Sequence, residues 1–167
     1  PMQAQENGPA RKGLFYSRYS PDAAAAYADK YVYNKAQGGT VYENYYNKAY
    51  ANYNSVGGDC ANYTSQSISA GGMPQVKGTP YGTDGWYYAG AHDRSGTWTY
   101  VPYLRDWMAA NRGVKRAASN STVWKGSPVF YGDQHAVICV GWNSAGVPVI
   151  NSHNNDWYHV KWNYYDP

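Results

Sequence analysis

Leucine, phenylalanine and cysteine are scarce in this 167-residue chain, at two residues each, and charged residues make up only 15%. Two cysteines cannot build a disulfide framework; they form one bridge or remain two thiols. No apolar run approaches the 18 or more residues of a membrane helix, and no signal-peptide core stands at the amino end, so no membrane span is expected. Lys and Arg number 14 against 11 acids, a net charge of +3. They lack the dense clustering of a phosphate-backbone reader, so nucleic acid is not an expected partner. His92 and His159 belong to no metal-ligand spacing, and neither metal nor cofactor is expected. No internal repeat is visible.

What is present is aromatic: 20 Tyr and 7 Trp supply much of a 43% hydrophobic content. These are apolar bodies with polar tips, suited to clefts and wet surfaces as well as cores. The length suits one domain. We place it at 14–167, with 1–13 a flexible arm, a cloning remnant or the start of a mature secreted protein. Low charge and abundant Tyr, Trp, Asn, Ser and Gly match exported bacterial proteins, so a secreted or cell-envelope location is expected, and a monomer.

Along the chain, Ser20-Pro21-Asp22 and the alanines that follow predict a helix: an N-cap serine, proline at the first helical position and an early acid. The tyrosines at 42, 45, 46, 50 and 53 recur at roughly helical spacing and read as packing. Residues 71–85, rich in Gly, Pro and Thr, predict loop. A further helix is predicted over about 101–111, stopped near Gly113, with Arg112, Lys115 and Arg116 as a solvated basic end. The last third reads as short strands over 127–131, 135–142, 147–151 and 158–162, with a turn at 143–146. Helices followed by an antiparallel sheet is the α+β pattern.

The chemistry is expected at Gly57-Gly58-Asp59-Cys60-Ala61-Asn62-Tyr63-Thr64-Ser65-Gln66. Asp59 reads as an N-cap that puts Cys60 at the positive end of a helix, where a thiolate is favoured. The common alternative is a small buried core cysteine. His135 opens the most apolar strand and is the expected base for Cys60. Asn151, or His153 two residues on, is expected to orient the imidazole. The Cys60 amide and the Asn54 side chain are candidate oxyanion donors. Trp86, Trp98 and Tyr87 are candidates to line a substrate groove. Cys139, on an apolar strand, is expected to be inert.

The cysteine segment, with Ala70-Gly71-Gly72-Met73-Pro74, Trp86-Tyr87-Tyr88, Trp98, His135-Ala136-Val137 and Ser152-His153-Asn154, resembles the bacterial "Putative amidase domain" family over roughly residues 14–165. Ala61 and Tyr63-Thr64 stand where the family pattern prefers Thr and Phe-Val, changes of packing that do not touch Cys60. The resemblance implies a papain-like fold related to peptidoglycan-hydrolysing cysteine peptidases, with the Cys-bearing helix packed on the C-terminal sheet. It also implies amide-bond hydrolysis by a Cys/His pair, and the family's recurring histidine keeps His153 open beside Asn151. The expectation is a cysteine amidase of peptide-like substrates, with cell-wall peptide the leading class. Acyl transfer or deamidation by the same pair, and a non-catalytic wall-binding module, are its rivals.

Overall fold

Ser20 starts the first helix, α1 (Pro21–Lys30), as its sequence predicts: the serine Oγ accepts from the Ala23 amide at 3.1 Å, Pro21 fills the first turn and Lys30 lies in the last. The computed structural model describes residues 2–4, 18–33, 45–53, 58–153 and 157–163. The tyrosine stretch over 41–53 is not helical where it is described, at 45–53. Asn47 Oδ1 accepts from the Ala49 amide at 2.9 Å, a local turn that competes with helical hydrogen bonds. Tyr50 nevertheless packs as expected, 4.8 Å from the Tyr88 ring and 6.0 Å from Trp98.

The second helix, α2 (Cys60–Ala70), has its first nine residues buried. A helix covered on every side must be central, and it touches α1, the sheet and the two helices that follow. Those are α3 (Gly96–Thr99) and α4 (Val101–Arg112). Gly113 closes α4 at φ 67, the left-handed conformation that glycine adopts without a Cβ clash. The basic end of α4 is not fully solvated. Arg112 is buried, donates to the Pro74 carbonyl at 3.1 Å and lies 4.7 Å from the Trp107 ring centroid, because its long stem covers apolar surface.

A short strand β1 (Met2–Ala4) pairs with β4 (Val114–Arg116), and β2 (Tyr88–Gly90) with β3 (Asp93–Arg94). The principal sheet is an antiparallel meander of β5 (Pro128–Tyr131), β6 (His135–Trp142), β7 (Pro148–Ser152) and β8 (Trp157–Lys161). The predicted turn joins β6 to β7, where Asn143 Oδ1 accepts from the Ala145 and Val147 amides. Helices at the amino side and an antiparallel sheet at the carboxyl side make the fold α+β.

Strand alternation divides the core. Ala136, Ile138, Val140 and Val149 join the helices, whereas Val129, Val137, Cys139 and Ile150 form a second cluster. Cys60 belongs to the first and Cys139 to the second, and both thiols are free.

Trp86 and Trp98 do not line a groove. Both have zero exposure, their rings are 5.0 Å apart, and their indole N–H groups donate to Ser65 Oγ (3.1 Å) and Asn62 Oδ1 (2.9 Å). Tyr87 is likewise buried, donating to Asp93 at 2.7 Å. With so few leucines, large aromatics fill the space around α2, and the buried polar side chains of that helix satisfy the indoles. Trp98→Ala should therefore cost about 3–5 kcal/mol in denaturant unfolding. A variant that loses activity at unchanged stability would return Trp98 to the groove.

Candidate active site

Cys60 is the first residue of α2, and the backbone amides of Ala136, Ala61 and Cys60 act on its sulfur. Two of these are unpaired donors of the helix start; the third belongs to β6. That third contact brings the thiol to the mouth of β6, where His135 is the preceding residue. Burial nevertheless holds the Cys60 pKa above the ordinary thiol value, and the neighbouring Asp59 carboxylate adds to the rise. The thiolate expected from the helix end is thus not the resting form: desolvation and an adjacent anion outweigh the amides. Burial likewise pushes Cys139 up to about 11.

The His135 ring is buried, parallel to Tyr131 at 6.3 Å and edge-on to Trp157 at 5.4 Å. Desolvation lowers its pKa to about 4. At neutral pH the imidazole is uncharged, which is the form that can accept a proton.

Asp59 does not cap its helix through its side chain. Its Oδ1 accepts from the Tyr53 amide (3.0 Å) and the Asn62 amide group (2.8 Å), and its Oδ2 lies 2.7 Å from His153 Nδ1. The second ring nitrogen of His153 lies 2.6 Å from the Tyr31 carbonyl. Both ring nitrogens thus lie within hydrogen-bond distance of oxygen atoms, and the ring is buried against the carboxyl group at 1–2% exposure. Tyr63 stacks on this ring at 3.9 Å, and its hydroxyl donates to the Ala28 carbonyl. His153 therefore grips Asp59 rather than aligning His135.

Asn151 is turned elsewhere too. Its amide donates to Asp29 at 2.8 Å and its oxygen accepts from the His159 backbone. The reason is register: Asn151 stands opposite Ile138, three residues along β6 from His135. Asn54 lies outside the described residues. The structure thus brings together Cys60 and the start of β6, and assigns Asn151 and His153 to other partners. The sequence reading missed Asp59 as a buried charge because an aspartate before a helix has an ordinary capping explanation. It also missed Asn62, which joins Asp59, the Ala51 carbonyl and Trp98. The Asn two residues after Cys60 was the available signal, since a helix interior seldom favours Asn without such bonds.

A family profile described as "Putative amidase domain" matches residues 18–166. The chain belongs to this family. Membership supports an amidase-type function. The chain is also 25% identical over 150 residues to "Uncharacterized protein YhbB" of Bacillus subtilis (strain 168). That alignment covers 84% of this chain and 48% of the relative, so the chain spans about half the length of that curated protein. No solved structure matches. No helix among the described residues is long and apolar enough to cross a membrane.

Two outcomes follow from the charges in this amidase domain. Removing one partner of the buried pair, by Asp59→Asn or His153→Ala, should destabilise by roughly 1–3 kcal/mol in denaturant titration, since the remaining buried polar group loses its hydrogen-bond partner. A loss under about 0.5 kcal/mol would contradict the buried hydrogen-bonded pair. His135 gives a pH dependence. Its folded pKa of about 4 lies below the ordinary 6.5, so the unfolded chain binds more protons between these values. Stability then rises with pH across that window and is lost on acidification, by about 3 kcal/mol over the whole range. Thermal unfolding at pH 7 and 4.5 should show a larger acid loss in the wild type than in His135→Gln; equal losses would contradict a buried neutral imidazole.

Proposed function

We propose that this chain is a cysteine-dependent amide hydrolase of peptide-like substrates, with cell-wall peptide the substrate class, acting as a monomer in a secreted or envelope location. The observation that carries the reading is Cys60 at the start of a buried helix, its sulfur against the Ala136 amide and so beside His135 in the chain. Amidase-family membership supports the reaction class.

In this reading neutral His135 takes the Cys60 proton as the sulfur attacks the substrate carbonyl carbon. Proton transfer is coupled to attack, because burial raises the thiol and lowers the imidazole. The tetrahedral oxyanion is met by the Cys60 amide at the helix start, with the Asn54 side chain the proposed second donor. The imidazolium returns its proton to the leaving nitrogen, the C–N bond breaks, and a thioester remains on Cys60. Water, deprotonated by His135, then hydrolyses the thioester and releases the acid and the free thiol.

Purified peptidoglycan and simple peptide amides, with products read by mass spectrometry, test the reading. New amine and carboxyl ends should form with the wild type. His135→Ala should lower turnover by about 10²- to 10⁴-fold, and Cys60→Ala by at least as much. Unchanged turnover in Cys60→Ala would end the cysteine reading.

A further inference from the structure

Arg94, at the end of β3, lies against two tyrosine rings. Its guanidinium carbon lies 4.5 Å from the Tyr81 centroid and 5.3 Å from the Tyr53 centroid, and its Nε donates to the Tyr53 hydroxyl at 3.3 Å. Two ring faces and one hydrogen bond fix the plane of the guanidinium before any ligand arrives. Tyr81 stands at φ 63, a left-handed backbone that is unusual for a bulky residue and costs on the order of 1–3 kcal/mol. Its amide donates to the Arg94 carbonyl at 2.8 Å, so the strained residue is tied to the arginine it covers.

The nearby acids are engaged elsewhere. Asp93 accepts from the Tyr87 hydroxyl and faces Lys77 at 3.6 Å, while Asp84 accepts from the amide and hydroxyl of Thr79. Among the described residues no carboxylate meets Arg94. Its terminal nitrogens are oriented donors suited to a planar, two-oxygen anion. The stack also connects to the cysteine helix: the Tyr53 amide donates to Asp59 Oδ1 at 3.0 Å, and Asp59 precedes Cys60.

We propose that Arg94 recognises a carboxylate of the peptide substrate whose amide Cys60 attacks, which makes it a specificity-determining residue for acidic peptides. The proposal rests on the cysteine amidase reading and narrows its substrate class. A guanidinium fixed in plane costs little further ordering when it binds, so it discriminates an acid from a neutral side chain of the same size.

The test is a peptide series carrying one glutamate at successive positions about the scissile amide, each with a glutamine counterpart. Wild-type kcat/KM should favour glutamate at least tenfold at one position. Arg94→Gln should bring that ratio close to one through KM, and Arg94→Lys should restore part of it, with melting midpoints close to wild type. A wild-type ratio near one at every position overturns the assignment, as does a ratio that survives Arg94→Gln. An equal loss on both peptides with a lowered midpoint overturns it too, leaving Arg94 as a loop fastener. If Cys60→Ala cleaves both peptides at the wild-type rate, the cysteine reading fails separately. Calorimetric binding of the same peptide pair to Cys60→Ala, with and without Arg94→Gln, still decides the role of Arg94.

Discussion

The Asp59–His153 pair is the constraint on which the site depends. A carboxylate removed from water is tolerable only when its oxygens are filled, and here the His153 ring, a backbone amide and a side-chain amide surround them. Each donor comes from a different part of the chain: the end of β7, the segment before the cysteine, and α2 itself. The other ring nitrogen of His153 lies against the Tyr31 carbonyl just beyond α1, and the ring rests on Tyr63. One buried charge thereby fixes four segments around the start of the cysteine helix. Hydrophobic packing alone would leave that start free to slide by small amounts, since apolar contacts are not directional.

The same anion shapes the chemistry. Asp59 adjoins Cys60 and, with burial, holds the thiol protonated against the pull of three backbone amides. His135 is neutral for the matching reason, its charged form disfavoured by the aromatic surroundings of Tyr131 and Trp157. In the proposed mechanism, charge appears only when substrate arrives and sulfur, imidazole and oxyanion develop it together. In this reading burial disfavours both the thiolate and the imidazolium until substrate arrives.

Much of this was legible in the chain. Ser20-Pro21-Asp22, Gly113 and the Asn143 turn each carry a local signal, and each marks an element boundary in the structure. The β6 and β7 strands follow from β-branched runs and that turn, and the cysteine segment with His135 follows from its pattern. What the chain did not disclose are the partnerships across it. His153 and Asn151 lie near the expected sheet position, but two residues of register decide which group each can touch. Trp86 and Trp98 look like groove residues until the scarcity of leucine is weighed, since something large must fill the space around a helix of Ala, Ser and Asn. Arg94 gives no motif at all. Its significance lies in two rings and a strained φ that only the fold assembles.

The central claim is that Cys60 carries the acyl group during turnover. Its most direct test is intact-protein mass spectrometry of the reaction with an activated peptide ester, quenched in acid within the first turnover. The account predicts a mass increase equal to the peptide acyl group, mapped to Cys60 by digestion and absent from Cys139. Turnover with no adduct on Cys60, or an adduct on another residue, would contradict it.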